Sequence, residues 1–525
     1  MNKNDGSCCH LFRRIIFTTA VLFLVSFWVF LTISLGKSNL SNPNLWFDEA
    51  GQFWIAKGLN HYSPPLSQNA GVSDVIKENS EYNLDPGGFS VLLHFWSVIS
   101  NSVIWLRLLP YVFSVLSSMC IALIVFIWTR SVILALIFLN FINVFKVGLI
   151  WQYGFEVRAY SMEYFGVLIL LLFLESYKKY KKNIYIVLLS VFMGIFALSR
   201  YSFFVYSLTM VIIVGRYFRK GYSKIFMFTI PFLIASFLTY FLALKKQLSV
   251  LQGYGAIHDL TIHGKSLEFI KNIFNQNLFN SINISLPSLF VLGLTIYLSN
   301  CKDSLVKKFH DVWLYVFISQ AIFVVLSIFD LYPWLMSSRW SLSSQMVVLI
   351  SFSVIASSVY IKFKNKFENY LSLILRRFYA AILITTLCLS GAIIISGNLL
   401  ETVINRVVKA SKSLRYINES TYENLLASNI NHKDVKVFVA YKSAATIRYL
   451  YEYGPFNSEK YYPENFYFES GKEFYENEKI GDSCFFDYII FPNLDDKQLA
   501  GYKKRFVFNV EDVTTHPPSR LYKRD

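Results

Sequence analysis

Residues 183–215 read NIYIVLLSVFMGIFALSRYSFFVYSLTMVIIVG, an apolar block whose only charge is Arg200, and this block decides the fold. Its length suits one tilted membrane-spanning helix or two short ones. Short basic loops are retained in the cytoplasm, and a single span here would turn every later basic loop outward. Two helices keep those loops inside, but each is then only about 24 Å long against a hydrocarbon core of about 30 Å. We therefore predict a hairpin whose turn holds Arg200 below the outer surface, facing a cavity.

The composition extends the membrane assignment to most of the chain. Hydrophobic residues make up 54% of the 525 residues, charged residues make up 16%, and the mean hydropathy is +0.42. In a soluble domain, roughly a quarter of all residues are charged. We predict a polytopic α-helical membrane protein with about 11 transmembrane helices, because apolar runs near the spanning length recur along the chain. The predicted spans are 15–35, 104–128, 131–150, 160–176, 183–198, 201–215, 225–244, 286–299, 312–329, 341–360 and 378–396.

Charge patterning predicts the orientation of these spans. The net charge is +16, but the basic residues form short clusters between apolar runs, such as Arg13-Arg14 and 362–377, so we predict no nucleic-acid partner. With these clusters inside, the N-terminus is cytoplasmic and the C-terminus extracytoplasmic, in a bacterial inner membrane in contact with its lipids. Residues 1–397 then form the transmembrane domain. Its first outer loop, 36–103, carries interfacial helices, and 398–525, where strand-like and helix-like segments alternate, form a small extracytoplasmic α/β domain.

Two adjacent carboxylates, Asp48 and Glu49, follow the first predicted span. Trp46 and Phe47 restrict the access of water to them, and restricted hydration can raise the pKa of a carboxylate toward that of a working base. The structural alternative is that the two acids only favour the N-terminal end of an interfacial helix. We predict a catalytic pair because further charged residues accompany it at other outer positions.

Those further residues predict an anion site beside the base. Arginine suits a phosphate, because the donor fork of its guanidinium matches phosphate oxygens. The segment WQYGFEVRAYSME (151–163) is equally compatible with an interfacial anchor that carries one ion pair. Several cations that accompany carboxylates on one face of a membrane protein nevertheless favour a binding site. The predicted substrate-binding residues are Glu156, Arg158, Tyr160, Arg200, Arg339 and Asp85.

Five motifs occur in the order found in bacterial GT-C glycosyltransferases. They are WFDEA (46–50), DPGGFSVLLHFW (85–96), WLRLLPYVFSVLS (105–117), YGFEVRAYSM (153–162) and ALSRYSFF (197–204). The chain resembles the polyprenyl-phosphate-sugar-dependent members of this class, which are related to protein O-mannosyltransferases and the lipid A aminoarabinose transferase. The resemblance covers roughly residues 10–220 by motif, and residues 221–397 by topology and the SSRW segment (337–340).

The resemblance implies a GT-C fold and a division of roles among the candidate residues. Asp48 would be the general base and Glu49 its support. Arg158 and Arg200 would hold the lipid-linked phosphate, with Tyr160 nearby. One departure concerns the acceptor contacts, since many members have His-Pro-Pro-Leu where this chain has Asp-Pro-Gly-Gly at 85–88.

The predicted function is an inverting membrane glycosyltransferase. It would move a sugar from a polyprenyl-phosphate-linked donor to an extracytoplasmic acceptor, which is lipid A, another glycan or a protein. The alternative is a transporter or flippase of lipid-linked or anionic solutes, which shares the many spans and recessed cations. That alternative leads one to expect inverted repeats and paired broken helices, and the sequence shows neither.

No cofactor is predicted, and a divalent metal is the open alternative. His258 and His263 lie in the predicted outer loop 245–285, with Asp259 between them and Glu268 beyond. Their five-residue separation matches no recognised spacing of metal ligands. We therefore assign no metal ligand.

Overall fold

The computed structural model folds into two compact units. The first unit contains Met1–Lys37, Tyr111–Gly154 and Ala159–Val408, and the second contains Ser38–Pro110, Phe155–Arg158 and Lys409–Asp525. The structure describes residues 5–40, 45–59, 70–145, 154–218, 222–247, 309–329, 332, 342–367, 435–439, 441–453, 466–468, 488–492, 510–512 and 519–524.

The first unit is built from apolar helices. They are α1 (Asp5–Leu40), most of α5 (Val103–Thr129), α6 (Val132–Phe145), α7 (Tyr160–Tyr180), α8 (Asn183–Ala197), α9 (Phe203–Gly215), α10 (Tyr222–Thr239, followed by a π-helical turn, Tyr240–Leu244), α11 (His310–Ile328) and α12 (Leu342–Phe367). Helix α7 is buried on most of its surface and packs against α8, α9 and α12. Helices α1 and α10 instead expose large apolar side chains, as expected of faces that contact lipid.

The prediction of apolar helices that can span a membrane is confirmed, whereas the number of spans is not. Among the described residues, four helical segments are long and apolar enough to cross a membrane, namely Phe17–Ser34, Val103–Thr129, Tyr160–Tyr180 and Ser223–Gln247. Three shorter apolar helices are Asn183–Ala197, Phe203–Phe218 and His310–Leu326. The predicted spans 286–299 and 378–396 lie outside the described residues, so the figure of about 11 stays a prediction.

The predicted hairpin is confirmed as two helices with a tight turn. Helix α8 ends at Ala197 and α9 begins at Phe203, and backbone hydrogen bonds such as Phe203 N–H to the Arg200 carbonyl (3.0 Å) close the turn. Arg200 is only 3% exposed. A charged residue at that depth needs a partner, and the structure supplies one from α7 (described with the candidate site).

Gly166 allows the hairpin to approach α7 closely. A Cβ atom at this position would lie 2.6 Å from the Phe196 ring and 2.7 Å from the Phe203 ring. These two aromatic rings come from α8 and α9, so the glycine sits where all three helices meet. Glu163 lies almost one turn earlier on α7, which is why this packing controls the distance between α7 and the turn that carries Arg200.

The second unit combines short helices with a small sheet. Its helices are α2 (Phe47–Ala56), α3 (Val72–Tyr82), α4 (Gly88–Ser97), the first residues of α5 and α13 (Tyr441–Glu452). Its strands are β1 (Val437–Val439), β2 (Phe466–Phe468), β3 (Tyr488–Pro492), β4 (Val510–Asp512) and β5 (Ser519–Arg524). The strand order is β2-β1-β3-β5-β4, with β1 parallel to β2 and β3, and β5 antiparallel to β3 and β4.

Strand β1 lies between β2 and β3 in this sheet. Val437 pairs with Phe466 on one side and with Tyr488 on the other, and the three residues of β1 are buried. Strand β1 is followed by α13, so the alternation of strand and helix expected after residue 398 is present. The division of the chain at 397/398 into two domains stays a prediction.

Gly166 offers a test of the packing between α7 and the hairpin. We expect Gly166→Ala to lower the free energy of unfolding by about 1–3 kcal/mol, because two aromatic rings must shift to admit the methyl group. Gly215→Ala is the matched control, since a Cβ atom there meets nothing within 4 Å. Thermal unfolding of both variants in detergent measures the effect, and equal melting temperatures would contradict the tight contact.

Candidate functional site

A buried ion pair joins α2 to the first residues of α5 in the second unit. Glu49, in the first turn of α2, accepts two hydrogen bonds from Arg107 of α5: Nε to Oε1 at 3.0 Å and Nη2 to Oε2 at 2.7 Å. Glu49 is 0% exposed and Arg107 is 1% exposed. A two-point contact of this kind fixes both the distance and the orientation of the two helices.

Backbone donors satisfy the rest of the Glu49 carboxylate. The Trp46 N–H donates to Oε2 (3.2 Å), which caps the start of α2. The Val157 N–H donates to Oε1 (3.1 Å) and so ties the segment Phe155–Arg158 to the same carboxylate. Four hydrogen bonds to one buried carboxylate mark Glu49 as a structural anchor of α2.

Asp48 has a different environment from its neighbour. It is the second residue of α2 and is half-buried, whereas Glu49 is fully enclosed. Consecutive residues of a helix point about 100° apart, so anchoring Glu49 toward Arg107 directs Asp48 away from that ion pair. The structure thus separates the two acids into an enclosed anchor and a solvent-accessible carboxylate.

The segment Phe155–Arg158, which precedes α7 in sequence, brings further predicted residues beside this anchor. Glu156 is buried and Arg158 is half-buried, on either side of the Val157 N–H that binds Glu49. The Arg158 N–H also donates to the Glu156 carbonyl at 2.6 Å, which closes a tight turn. The second unit therefore gathers Asp48, Glu49, Glu156 and Arg158 from two distant parts of the sequence.

A polar network holds α2 about one turn beyond Glu49. Gln52 Nε2 donates to Ser90 Oγ (2.7 Å), and Ser90 Oγ donates to Asn79 Oδ1 (2.7 Å). Asn83 Nδ2 donates to both Gln52 (3.2 Å) and Asn79 (3.0 Å). Helices α2, α3 and α4 are therefore held by side-chain amides, whose interactions are directional and so fix their relative rotation.

Asp85 lies in the turn that enters α4, next to this network. The side chain of Asp85 is buried, and its carbonyl accepts a hydrogen bond from Asn79 Nδ2 at 2.8 Å. Gly87 has φ +101°, and a Cβ atom there would lie 2.9 Å from the Asn79 amide nitrogen. Proline cannot adopt positive φ, so the His-Pro-Pro-Leu sequence of similar enzymes cannot form this turn. The departure at 85–88 is therefore a change of backbone conformation and not only of side chains.

The first unit holds a second buried ion pair at the hairpin turn. Arg200 Nη1 lies 3.1 Å from Glu163 Oε2 on α7, and the Ser202 hydroxyl donates to the other oxygen of Glu163. The Arg200 guanidinium lies 4.6 Å from the centre of the Tyr160 ring, in cation–π geometry. Arg200 and Tyr160 therefore lie together, with Glu163 as the counter-ion of the arginine, and their role in substrate binding stays a prediction.

Sequence reasoning missed Arg107 and did not assign Glu163 to the site. Arg107 is a charged residue close to the start of the predicted span 104–128. A charge at such a position by itself indicates a buried partner or a functional site. Arg339 lies outside the described residues, as does the histidine-containing loop 245–285 except for 245–247. The two groups of predicted residues, around Glu49 and around Arg200, belong to different units of the chain.

The described residues do not assemble a metal site. In the part of the chain that the structure describes, no group of three or more His, Cys, Asp or Glu side chains is placed to hold a metal ion. Both oxygens of Glu49 already accept hydrogen bonds from Arg107 and from backbone N–H groups. We therefore derive no chemical step through a metal.

Comparisons with known proteins give structural matches alone. No family model and no curated protein matches the sequence. The archaeal oligosaccharyltransferase AglB of Archaeoglobus fulgidus, solved with an inhibitory peptide and a dolichol-phosphate, matches with a TM-score of 0.48 and 11% identity, over 96% of this chain and 74% of that one. ArnT of Cupriavidus metallidurans, solved in the apo state, matches with a TM-score of 0.46 and 10% identity, over 96% and 98% of the two chains. Both are GT-C glycosyltransferases, the class that the sequence motifs resemble.

The roles of the two adjacent acids differ in a way that stability measurements can detect. We expect Glu49→Gln to destabilise the protein by about 3–5 kcal/mol, because it leaves the Arg107 charge buried without its counter-ion. Glu81→Gln, the same change at an exposed position of α3, should leave the melting temperature unchanged. A Glu49→Gln protein as stable as the wild type would show that the ion pair does not anchor α2.

Proposed function

We propose that the protein is a glycosyltransferase that moves a sugar from a polyprenyl-phosphate donor to a hydroxyl group of an extracytoplasmic acceptor, with Asp48 as the general base. The observation that carries this proposal is the contrast within the acidic pair. Glu49 is fully enclosed and accepts hydrogen bonds from Arg107 and two backbone N–H groups, whereas Asp48, one residue earlier, is half-buried. Sequence alone left the assignment of base and support exchangeable, and the buried ion pair favours Asp48.

The proposed reaction needs one base and one site for an anion. Asp48 takes the proton of the acceptor hydroxyl while that oxygen attacks the anomeric carbon of the sugar. The bond between this carbon and the phosphate oxygen breaks, and the configuration inverts because attack and departure occur on opposite faces. The leaving polyprenyl phosphate carries its own negative charge, so it requires cations rather than a proton donor.

Arg158 is the proposed phosphate contact within the second unit. It is half-buried, lies one residue from the N–H that binds Glu49, and so is held in a fixed relation to α2. Arg200 is also proposed to contact the donor, on the basis of its motif. Its environment differs, because Glu163 already balances its charge and its side chain is almost fully enclosed.

Substitution of Asp48 tests the base assignment directly. We expect Asp48→Asn to lower kcat by about 10²- to 10⁴-fold, because the amide keeps the size of the side chain but cannot accept the proton. Donor binding should stay near the wild-type value, because the arginines proposed to contact the phosphate are unchanged, and thermal unfolding of the variant checks that the fold is retained. The measurement is transfer of sugar from a purified lipid-linked donor, with donor binding followed separately.

Asp74→Asn is the matched control for this experiment. Asp74 is an exposed acid in the first turn of α3, in the same unit, and caps that helix by accepting the Gly71 N–H. We expect its variant to retain full turnover. An Asp48→Asn protein with near-normal turnover would end the assignment of Asp48 as the base.

The two arginines should respond differently to removal. We expect Arg158→Ala to weaken donor binding by about 10- to 100-fold without loss of stability, with partial recovery in Arg158→Lys because lysine lacks the two-point fork. Arg200→Ala should in addition lower the melting temperature, because it leaves the buried Glu163 carboxylate without its cation. Unchanged donor affinity in Arg158→Ala would exclude this residue from the phosphate site.

A further inference from the structure

A helix from the C-terminal part of the chain packs directly against the acidic helix. Helix α13 contacts α2, and Trp54 Nε1 of α2 donates to the Ala445 carbonyl of α13 at 3.0 Å. The Phe53 ring meets the Tyr449 and Tyr453 rings edge-on, with centroids 5.2 Å and 5.3 Å apart. All of these residues belong to the second unit, and Phe53 and Trp54 are 0% exposed.

This contact gives the apolar residues of α2 a protein partner. The aromatic residues after Asp48 suggested a helix that lies at the membrane interface, yet Phe53 and Trp54 are enclosed by α13. An indole N–H that donates to a backbone carbonyl also fixes the ring in one orientation. The C-terminal helix thus covers one face of α2 while Arg107 holds its first turn.

Arg448 adds a charged group to this interface. Its guanidinium lies 5.2 Å from the centre of the Trp54 ring, and its Nε donates to Glu452 Oε1 at 2.7 Å. The Arg448 side chain is only 5% exposed. Glu452 therefore orients the guanidinium, which lies over the Trp54 ring in cation–π geometry, and the more compact ammonium of lysine lacks the same donor fork.

Tyr449 links the same helix to the start of α5. Its hydroxyl donates to the Asn101 carbonyl at 2.7 Å, two residues before α5 begins. Burial raises the pKa of Tyr449, with smaller opposed effects of Arg107 and Glu49, so the ring lies within electrostatic reach of the ion pair that anchors α2. The hydroxyl stays protonated at neutral pH and can serve as a permanent donor.

We infer that α13 is a positioning element for the acidic helix α2, with Arg448 and Tyr449 as its positioning residues. This inference rests on the proposed role of Asp48 as the base. Helix α2 has only ten residues and is too short to hold its own position, so its orientation depends on what packs around it. Arg107 fixes the first turn through Glu49, the Gln52 network holds α2 against α3 and α4, and α13 covers another face through Phe53 and Trp54.

The chemical consequence concerns turnover rather than donor affinity. A general base acts only when its oxygen lies within hydrogen-bond reach of the proton that it removes, and small displacements of a catalytic group lower the rate strongly. The proposed phosphate contact, Arg158, lies on a different segment of the unit, the turn 155–158, which is tied to Glu49 through the Val157 N–H. Loosening α13 should therefore reduce kcat and leave the KM for the lipid-linked donor unchanged.

A pair of hydroxyl deletions on α13 provides a matched test. Tyr449→Phe removes the hydrogen bond to Asn101, whereas Tyr451→Phe removes a hydroxyl from a ring that packs on Phe466 of the sheet. We expect Tyr449→Phe to lower kcat by about three- to tenfold at unchanged donor KM, and Tyr451→Phe, whose ring packs on the sheet, to change kcat less. The amides of residues 47–56 should exchange hydrogen faster in Tyr449→Phe alone, as measured by mass spectrometry of the full chain.

Arg448 and Trp54 allow a second, independent measurement. Arg448→Met should lower kcat by about tenfold and speed exchange in α2, and Arg448→Lys should restore only part of both effects. In a double-mutant cycle with Trp54→Leu, the fold-decrease in kcat of the double variant should be smaller than the product of the two single fold-decreases. Both changes remove the same cation–π contact, so their effects are not independent.

The two readouts separate failure of this inference from failure of the proposed function. Exchange in residues 47–56 that is identical in wild type, Tyr449→Phe and Arg448→Met would overturn the positioning role, whatever the activity. Faster exchange with kcat unchanged would overturn it as well, since α2 would then move without consequence for turnover. Faster exchange in a protein whose wild-type form transfers no sugar would leave α13 as the support of α2 and refute the glycosyltransferase proposal instead.

Discussion

The ion pair between Glu49 and Arg107 is the constraint on which the arrangement of α2, the start of α5 and residues 155–158 depends. Two opposite charges removed from water are stable only when their geometry is exact and their remaining hydrogen-bonding capacity is satisfied. Arg107 supplies two donors, and the Trp46 and Val157 N–H groups supply the others. A misplaced α2 or a displaced segment 155–158 would leave charge or backbone uncompensated in the interior. The position of the neighbouring Asp48 follows from that requirement.

The hairpin of the first unit obeys the same physical rule. Helices α8 and α9 are too short to carry Arg200 clear of the apolar region, so the arginine must find a counter-ion inside the protein. Glu163 provides this counter-ion, and the Tyr160 ring adds a cation–π contact. Gly166 has no side chain that would keep α7 away from the hairpin. The ion pair, the short helices and the absence of a side chain at Gly166 therefore all favour a buried turn. The turn can be buried because Glu163 balances the charge of Arg200.

Local signals predicted much of this arrangement, and nonlocal partners account for the rest. Hydropathy and the placement of basic clusters predicted the hairpin around Arg200, because both properties are read directly along the chain. The same signals located Asp48 and Glu49 but not Arg107, which is 58 residues from Glu49 in sequence and appears there only as one charge in an apolar run. Residues 441–452 carry no apolar run that marks an interface, so the docking of α13 on α2 could not be predicted from periodicity.

The structure also explains why two adjacent acids are useful in a helix of ten residues. Adjacent side chains diverge by about 100°, so one carboxylate can face the protein while the other faces outward. The longer glutamate reaches Arg107 and the Val157 N–H, and it therefore serves as the anchor. The shorter aspartate, with fewer rotatable bonds, is the more precisely held of the two once the backbone is fixed. A base that must meet a substrate proton at a defined distance gains from that stiffness, and the anchor beside it supplies the fixed backbone on which the stiffness depends.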